Sequence, residues 1–553
     1  MSTGLRKKLS AGGISHLFAI SGLHLGLLSF LIYALLRYLY SRSTGLLLWQ
    51  PPVRVLWFLI LPILFIYLLL TGDALATRRA FVALALTVLL YLRRRRIAPL
   101  NLICTLAFLF LLFEPLALWQ PSFLLSFSGV LGILLWQKPL YQLLSPLPKL
   151  VRYPLQLFGV SLAAFIATLP AVVFIFHVFT PAGLICNLFA IPLVSIVALP
   201  LGLLGLTSIT ILPAIGELLL RSSAWVLELI INLSSLVTEL PGFCAHPIFL
   251  TLPETLAVAL GCLALLLIWQ GKRTLLLLLP AICLLALGSH VDRTELILFS
   301  VGQGEAMLLR TEGKTLLIDT GGLRSDSFDV GERLLAPALG RLGVKFIDAI
   351  ILTHDHPDHS GGLTYILDNF EVREFWSTRQ LKALRPEFIE VLSRNAVPAY
   401  TYDKPGWGRR QPGGLKSLAF YKAPLNVSGE NNQSLCAYLP TPAGGILLTG
   451  DLEAGGVESL LYPPLPGAVC ILKAPHHGSR SSNPEKILAK CKPEIVLVSA
   501  GYLNPYQFPA QKLLDQSRQL GARVLRTDLD GTIRLRVEGR HWQSDHWSNG
   551  LFR

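Results

Sequence analysis

The sequence contains a dense group of side chains that can bind metal ions. Four of them follow the spacing HxHxDH in the segment "HDHPDHSGG": His354, His356, Asp358 and His359. Imidazole and carboxylate groups together suit zinc or a similar divalent ion, and a sharp loop after a strand can turn all four toward one point. Five of the twelve histidines of the chain lie in this loop and one later loop, so a chance run of polar residues explains the pattern poorly.

Two later segments carry further metal-binding side chains at the ends of predicted strands. The strand in "GGILLTGDLE" delivers Asp451 to its C-terminal end, and "CILKAPHHGSRSS" leads to His476 and His477. The two oxygens of a carboxylate can each bind one cation, and an imidazole from the later loop would complete the second ion's shell. We therefore expect a site for two divalent ions, zinc or alternatively manganese, with the ligand set His354, His356, Asp358, His359, Asp451, His476 and His477.

Two bound cations can hold a hydroxide, polarise a phosphoryl oxygen and stabilise the leaving oxygen, which is the chemistry of phosphodiester hydrolysis. Lys473, Ser479 and Arg480 flank the last loop and are candidates for binding phosphate oxygens, although ordinary surface roles explain them equally well. Asp319 is expected to orient the loop or a ligand from outside the ions' own shell. The predicted catalytic residues are Asp358, Asp451, His477 and Lys473.

The elements that must position these residues follow from the pattern after Val291, where short β-type runs begin. The segment "ELILFSVGQGEAMLLRTEGKTLLIDTGG" predicts strand, turn and strand, with a polar turn at residues 312–314. A helix is expected near 331–341, and "DAIILT" predicts the strand that leads directly into HxHxDH. The side chains with metal chemistry therefore stand where predicted strands end.

The first half of the chain has the composition of a membrane protein. Residues 1–290 hold 18 Lys and Arg but 6 Asp and Glu, a net charge of +12, whereas residues 291–553 hold 30 and 28, a net charge of +2. Core helices of a soluble protein would not explain so few acids. We expect a membrane domain over 1–290, a hydrolase domain over 291–553, and about ten spans near 15–40, 53–71, 80–92, 97–113, 122–137, 155–178, 182–209, 212–235, 252–269 and 273–289.

Basic residues in the loops predict the orientation of these spans. The loops after the first, third and fifth spans are rich in Arg and Lys, so the positive-inside rule places them in the cytoplasm. An even number of spans then leaves residues 291–553 on the extracytoplasmic side. A single miscounted helix reverses this topology, and Lys7 and Lys8 favour the opposite orientation.

Polar groups inside membrane spans are costly and mark functional positions by default. The spacing of Gly22 and Gly26 lets two helices approach closely. Hydrogen-bonded packing explains His24 as well as a functional role does, and an interfacial cluster explains Asp73 and Arg79 better than a pore lining. The candidates for a polar path through the membrane are Ser21, Gly22, His24, Asp73, Arg79, Ser126 and Asn187.

The residues and their order resemble a known family. The string from Asp319 through HxHxDH, "TGD" and "HHGS" is similar to metallo-β-lactamase-fold hydrolases. Within that superfamily, "SVGQGEAMLL", "LKAPHHGSRSS" and "VLRTDLDGTIRL" look like the C-terminal domain of the ComEC family of bacterial competence proteins. "HLFAISGLHLGLL", "SFLLSFSGVLGIL" and "NLFAIPLV" resemble that family's membrane helices. The resemblance implies a polytopic membrane domain followed by an αββα sandwich.

The chain departs from the family's pattern at several places. An OB-like domain usually precedes the first-span motif, so we expect a chain that lacks this domain. Ser300 and Phe508 stand where aspartate and histidine are usual, and residues 360–475 contain no histidine for the first ion. The family has an Asn-containing segment there instead, which suggests that an amide oxygen or solvent joins His354, His356 and Asp451, and that one ion binds more weakly than the other. Asn431, Asn432 and Ser434 of this segment are candidates for groups that contact the ligands or the substrate.

The resemblance implies DNA uptake in natural transformation at the bacterial inner membrane. The membrane domain would pass a single strand into the cytoplasm, and the hydrolase domain would act as a nuclease on the incoming DNA. Expected partners are a DNA receptor and a separate ATPase, since the chain has no Gly-rich P-loop, and an oligomer is open. Two alternatives stay open: a membrane-anchored metallohydrolase of another phosphodiester or ester, and a DNA permease with an inactive hydrolase-like domain. Few aromatic residues are spaced as a base-stacking ladder, so the sequence does not show how a strand is held.

Overall fold

The chain divides into two compact units, Met1–Leu287 and Gly288–Arg553, and the first consists mainly of helices. The computed structural model describes residues 3–18, 22–72, 75–95, 97–286, 293–322 and 328–547. The expected domain boundary at 290 lies outside these residues. The α-helices of the first unit are Thr3–Ala11, Ser15–Phe18, Gly22–Ser41, Thr44–Trp49, Pro52–Leu70, Leu75–Leu92, Pro99–Phe113, Pro121–Leu144, Lys149–Phe176, Ala182–Pro192, Leu199–Ser208, Pro213–Glu239, Leu252–Leu266 and Leu278–Ala286.

Within the described residues, six helices are long and apolar enough to cross a bilayer, which is fewer than the ten spans expected. Helices of 15 residues, such as Pro99–Phe113 and Leu252–Leu266, extend only about 22 Å at 1.5 Å per residue, short of the roughly 30 Å hydrocarbon core. The six are His24–Ser41, Pro52–Leu70, Leu75–Leu92, Pro121–Leu144, Lys149–Phe176 and Ala182–Ser208.

Prolines set several helix boundaries in this unit. Helices beginning at Pro52, Pro99 and Pro121 carry the ring in the first turn, where the missing N–H has no intrahelical partner to lose. Pro192 instead lies inside the membrane helix Ala182–Ser208, and the chain continues beyond it as a π-helical segment, Leu193–Ala198. The helix therefore changes its winding locally at this proline and does not break.

Two mixed sheets form the C-terminal unit. The first has the strand order Ala399–Thr401, Phe375–Ser377, Ala349–Ile351, Lys314–Ile318, Met307–Thr311, Glu295–Leu298, Thr532–Glu538 and His541–Trp547. The second has the order Gly406–Arg409, Ala419–Lys422, Cys436–Leu439, Gly445–Leu448, Val469–Lys473, Ile495–Val498 and Arg523–Arg526. The strands predicted before HxHxDH and before Asp451 and His476 are confirmed.

Alternating side chains explain why helices must cover both sheets. Leu296 and Leu298 belong to a core cluster that joins residues of the two sheets, and Ile297 between them is fully buried on the opposite face. A second cluster joins the other face of the second sheet to helices, through residues such as Leu460 and Leu513. Both faces of both sheets are thus buried, as an αββα sandwich requires.

The helices of this unit include the one expected near 331–341. It is a π-helical turn, Gly331–Leu335, continued by the α-helix Ala336–Arg341. The polar turn predicted at 312–314 joins Met307–Thr311 to Lys314–Ile318. The other α-helices are Pro357–Ser360, Leu363–Asn369, Pro386–Arg394, Ala454–Leu461, Pro484–Cys491, Gln511–Gln519 and Thr527–Asp530.

Candidate metal centre and membrane cavity

Parallel strand pairs bring the metal-binding segments together. In the first sheet, Lys314–Ile318 pairs in parallel with Ala349–Ile351, so Asp319 and the HxHxDH loop leave at the same edge. In the second sheet, Gly445–Leu448 pairs in parallel with Val469–Lys473, so Asp451 and the His476–His477 turn also leave together. Carboxyl ends of parallel strands are where α/β proteins place their sites, and here two such edges meet.

Asp451 is the hub of the cluster. Its Oδ2 lies 3.2 Å from His359 Nε2, 3.3 Å from His477 Nε2 and 3.9 Å from His476 Nε2. Asp358 Oδ2 lies 3.7 Å from His477 Nε2. A tetrahedral ion with ligand bonds of about 2.0–2.1 Å requires its ligand atoms to lie roughly 3.3 Å apart, so these separations suit one shared cation.

A second pair of imidazoles adjoins this group. His354 Nε2 lies 3.1 Å from His356 Nδ1, and the ring centroids of His354 and His359 are 4.2 Å apart. His354 therefore lies beside His359, which contacts Asp451, and His356 lies beside His354. At the edge of the group, the side chains of His476 and His356 are 22% and 32% exposed.

The two fully buried imidazoles are held by their outer nitrogens. His359 Nδ1 lies 2.7 Å from Asp319 Oδ2, and His477 Nδ1 lies 2.9 Å from the carbonyl oxygen of Ser499. Because these acceptors need a proton on Nδ1, they leave each Nε2 available as a ligand. Asp319 is itself fixed by the backbone N–H and hydroxyl of Thr353, which donate at 2.7 Å each.

The imidazoles at the rim are oriented in the same way. The Thr353 hydroxyl donates its proton to Asp319, so its oxygen accepts the N–H of His354 Nδ1 at 3.1 Å. The Nε2 of His354 then carries no proton and can act as a ligand. For His356 the outer atom is Nε2, which lies 3.0 Å from Glu430 Oε2. Its Nδ1 is therefore the inward nitrogen. The sequence analysis missed Glu430, whose only signal was an acid beside the Asn-containing segment.

Buried polar atoms without partners test whether the residues fit a metal ion. Nε2 of His359 and of His477 are buried and make no hydrogen bond of good geometry to any described residue, although both lie near Asp451. Leaving such atoms unsatisfied is expensive, and a divalent cation at this point would satisfy both. Glu305, His359, Asp451 and His477 offer ligand atoms that all lie within 4.8 Å of one another, so the donor set fits.

Lys473 has a different position from the one expected of a phosphate-binding group. Its ammonium is fully buried, pairs with Glu305, donates to the carbonyl oxygen of Gly450 at 3.0 Å, and lies 3.5 Å from Asp451 Oδ1. Burial would lower the pKa of Lys473, but the Glu305 and Asp451 carboxylates outweigh it and raise the pKa. The lysine thus anchors the Asp451 loop and does not face solvent.

Glu305 is a buried residue of the centre that the sequence analysis did not identify. Its side chain is fully buried, and its carboxylate oxygens accept no hydrogen bond of good geometry from the described residues. The signal was present in "VGQGEAMLL", where one acid interrupts a buried run. A buried carboxylate needs a cation, and Lys473 supplies it.

The Asn-containing segment holds the Asp451 loop in place. Asn432 Oδ1 accepts the N–H groups of Glu453 and Gly456, and Ser434 Oγ accepts the N–H of Asp451 at 3.1 Å. Both residues are therefore positioning groups. Asn431 donates to Glu453, but its Oδ1 is buried without a partner among the described residues, so it stays the candidate amide ligand.

The groups around the last loop divide into a buried and an exposed set. Ser479 is nearly buried and its hydroxyl accepts the N–H of Ser481, which caps a helical turn. Arg480 is exposed and makes no ion pair with any described residue, so it is available to a phosphate. Asp355, inside the HxHxDH motif, points away and pairs with Arg385 Nε at 2.9 Å.

The N-terminal unit contains a cavity of about 950 Å³ lined by four of the seven path candidates: Gly22, Arg79, Ser126 and Asn187. Arg79 is 6% exposed and donates to the backbone carbonyl of Ser122 at 2.6 Å. No carboxylate occurs among the cavity's lining residues in the described part of the unit. The lining is otherwise mostly apolar, so the buried Arg79 guanidinium is the cationic feature of this cavity among the described residues.

The remaining path candidates do not line this cavity. Ser21 and Asp73 lie outside the described residues, and His24 is half-buried elsewhere on its helix. Gly22 packs closely, since an added Cβ would meet Ala80 Cβ at 3.0 Å, whereas nothing lies within 4 Å of one at Gly26. The small-residue spacing therefore predicts the close approach correctly at one glycine and wrongly at the other.

Comparisons with known proteins agree with both units. The family model described as "Competence protein" matches residues 1–273, and the model of the metallo-beta-lactamase superfamily matches residues 300–499. The chain is similar to the ComE operon protein 3 of Bacillus subtilis (strain 168), at 29% identity over 96% of this chain and 68% of that protein. It is similar to competence protein ComA of Neisseria gonorrhoeae at 29% identity, over 98% and 75%.

A further relative is the uncharacterized protein YcaI of Escherichia coli (strain K12), with 29% identity over 96% of this chain and 68% of that protein. The two family models follow one another along the chain in the order in which its helical unit and its αββα sandwich occur. The C-terminal unit is thus a domain of a metal-dependent hydrolase superfamily, joined to a multi-pass membrane unit. Over nearly its whole length, the chain is thus similar to competence proteins of the ComEC family.

Proposed function

We propose that this protein takes up DNA, with the C-terminal unit acting as a metal-dependent nuclease and the N-terminal unit as the passage for a single strand. The proposed nuclease activity rests on the cluster around Asp451, where imidazoles from two loops turn inward the ring nitrogens that are available as ligands. Such a set holds divalent cations firmly and leaves their outer face to a substrate. The family's competence function supplies DNA as the substrate class.

The residues of the metal centre fall into metal ligands and positioning groups. His359, His477, Asp358 and Asp451 would hold one cation, while His354 and His356 with Asp451 would hold the other. Bound divalent ions supply a nucleophilic hydroxide at neutral pH and polarise the phosphoryl oxygen. Asp319 and Glu430 orient imidazoles, and Lys473 keeps the Asp451 loop in position.

Zinc is the proposed metal, with manganese as the alternative. A donor set of several imidazoles and two carboxylates favours zinc, whereas sites built mainly from carboxylates and water favour manganese. The first ion has two imidazoles and depends on Asp451 and on an amide oxygen such as Asn431 Oδ1. We therefore expect the first ion to bind more weakly than the second.

The cavity of the N-terminal unit supports strand passage. The Arg79 guanidinium is buried, and the lining residues include no carboxylate. Burial of a cation without a counter-ion costs free energy, which an anion bound in the cavity would offset. The buried Asn187 Oδ1 also has no partner among the described residues. A DNA strand would bring the phosphates that Arg79 needs and base edges that can donate to an amide.

The cellular arrangement follows from the family and from the charge of the loops. We propose an inner-membrane protein whose C-terminal unit lies on the extracytoplasmic side, where it meets incoming DNA. A receptor would deliver the DNA, and a separate ATPase would drive transport, since the sequence contains no P-loop. Self-association is compatible with this arrangement.

The test uses the full chain purified in detergent. Metal content is measured by elemental analysis, and hydrolysis is followed on single-stranded DNA, duplex DNA, a small phosphodiester and a carboxylic ester, before and after chelation. The proposal expects bound zinc or manganese and metal-dependent cleavage of DNA. Cleavage of the small diester or ester alone would indicate a membrane-anchored hydrolase of another substrate, and absence of both metal and hydrolysis would indicate an inactive domain beside a permease.

A further inference from the structure

An exposed aromatic loop lies beside the metal centre. Residues 501–510 place the Phe508 ring nearly parallel to the His477 imidazole, with 6.4 Å between centroids and 15° between planes. The Tyr506 ring stacks on Phe508 in turn, at 5.4 Å and 20°. Tyr506 is 56% exposed, whereas Phe508 is half-buried against the core. Three nearly parallel rings thus connect the buried imidazole to an open aromatic face.

The loop is held in one conformation by its own polar groups. The Asn504 amide donates to the carbonyl oxygens of Gly501 and Phe508 at 3.0 and 2.9 Å, and its Oδ1 accepts the Phe508 N–H at 2.9 Å. One side chain therefore closes the turn that presents Tyr506. A surface fixed before binding loses less entropy when a ligand stacks on it.

The same loop is fixed against the turn that carries His477. The Ala510 N–H donates to the carbonyl oxygen of Gly478 at 2.9 Å. Gly478 has φ +80°, and a Cβ at this position would lie 2.7 Å from Pro509 Cβ, so only glycine allows the contact. The aromatic face is consequently tied to a predicted metal ligand.

We propose that Tyr506 and Phe508 form a stacking platform for an unpaired nucleobase of the DNA strand whose phosphate is bound at the metal centre. The inference rests on the nuclease function proposed above. Phosphate and base of one nucleotide are joined by a single sugar, so a strand held at His477 brings a base to the neighbouring rings. Aromatic rings bind the faces of all four bases, but bases in a duplex are already stacked and paired.

Internal packing does not account for Tyr506. Phe508 packs against the second core cluster, which explains an apolar residue there. Tyr506 leaves more than half of its surface in water, so it stabilises the fold little, yet the loop is closed so that its ring lies on Phe508. A flat, exposed and rigid aromatic surface is suited to a planar ligand.

The first test measures the preference of the full-length protein for bases. Cleavage of a single-stranded oligonucleotide is compared with cleavage of a strand of the same length built from abasic sites. Tyr506→Ser is expected to reduce the preference for the base-bearing strand about fivefold, the lower end of what stacking of one base contributes. Tyr506→Phe should retain the preference, and so should Tyr462→Ser, which changes a tyrosine that is 95% exposed elsewhere in the unit.

The second test reads binding without cleavage. A nuclease-resistant phosphorothioate strand carrying 5-iododeoxyuridine is irradiated with the protein, and the cross-linked peptide is identified by mass spectrometry. We expect the cross-link within residues 501–510 and its loss in Tyr506→Ser. Cross-links confined to other segments would overturn the platform.

The two tests separate the platform from the nuclease. An unchanged preference in Tyr506→Ser, with both strands still cleaved, overturns the platform and leaves the proposed function standing. If neither strand is cleaved, the nuclease proposal fails, and the cross-link alone then decides whether bases bind at this loop.

Discussion

The two units of this protein treat buried polar groups in opposite ways. In the C-terminal unit, His359 and His477 each have one ring nitrogen fixed by an acceptor and the other turned toward Asp451. In the described part of the N-terminal unit, side-chain oxygens of Thr77, Asn187 and Ser195 are buried without hydrogen-bond partners.

This difference matches two kinds of binding. A centre that must hold a cation permanently needs ligands whose tautomers and directions are set in advance. A passage needs polar groups that bind each arriving nucleotide weakly enough to release it again. At the chemical site, hydrogen bonds set the direction of each imidazole, whereas the Asn187 oxygen at the cavity has no partner among the described residues.

The largest expected effect is the loss of the hub of the centre. Asp451→Ala removes the carboxylate that we propose both ions share, so bound metal should disappear and DNA hydrolysis should fall by about a thousandfold or more. Elemental analysis and a cleavage assay measure both quantities. Asp355→Asn is the matched control, because this carboxylate in the same motif pairs with Arg385 and should leave the metal content unchanged. Retained metal in Asp451→Ala would contradict the proposed ligand set.

A substitution in the N-terminal unit should affect uptake alone. Arg79→Met removes the buried cation of the cavity, and uptake of labelled DNA should fall by about a hundredfold, since a charge-assisted contact to phosphate is lost. Hydrolysis by the C-terminal unit should not change. Arg221→Met, at an exposed arginine paired with Glu217, should reduce neither. Equal loss of hydrolysis in Arg79→Met would show that the contrast between the units is wrong.

The affinity of the oriented imidazoles for zinc can be lowered without removing a ligand. Asp319→Asn places an amide against His359 Nδ1, favours the other tautomer, and should lower zinc affinity about tenfold. Excess zinc should restore cleavage, which a misfolded domain would not allow. Asp348→Asn changes a buried acid paired with Lys314 and Arg373 and should leave zinc affinity unchanged. Affinity equal to that of the unmodified protein in Asp319→Asn would remove the orienting role.

Metal affinity should also depend on pH. Burial would lower the pKa of His477, but Asp451 and Asp358 outweigh it and raise the pKa to about 9 in the metal-free protein. A cation binds only the neutral ring, so binding at pH 7 must release this proton. Zinc affinity should therefore rise about tenfold per pH unit up to about pH 9 for each proton released. Titration calorimetry in buffers of different ionisation enthalpy measures the number of protons released, and a value of zero would contradict the predicted release of the His477 proton.

Much of the candidate site could be predicted from the sequence because its ligands stand directly after strands. His354, Asp451 and His477 each follow a short apolar run that forms a strand, and the structure brings all three segments together. The metal itself stays a prediction. Arg79, Ser126 and Asn187 were candidates for a polar path because polar residues inside apolar spans are rare, and all three line one cavity. That they form a path stays a prediction.

Other features depended on contacts that no local pattern records. The role of Lys473 follows from its burial beside Glu305, a residue far earlier in the chain, so its flanking position suggested a surface role that the structure contradicts. Apolar composition predicts about ten spans but does not report where a helix ends, and six helices among the described residues reach the length of a span. Stacking of Tyr506 on Phe508 is likewise set by the fold of a loop.

By itself, the sequence determined the kinds of ligand, their place at strand ends and the division into an apolar and a charged half, because these depend on residue type and on spacing along one element. Only the tertiary structure decided which nitrogen of each histidine turns inward and which charges are buried. Those outcomes depend on acceptors such as Asp319, Glu430 and the Ser499 carbonyl, which lie 22 to 74 residues from the rings along the chain. They meet the rings only when distant strands pair within a sheet or the two sheets pack. A hydrogen bond acts over about 3 Å, so it is decided where the folded chain returns to itself.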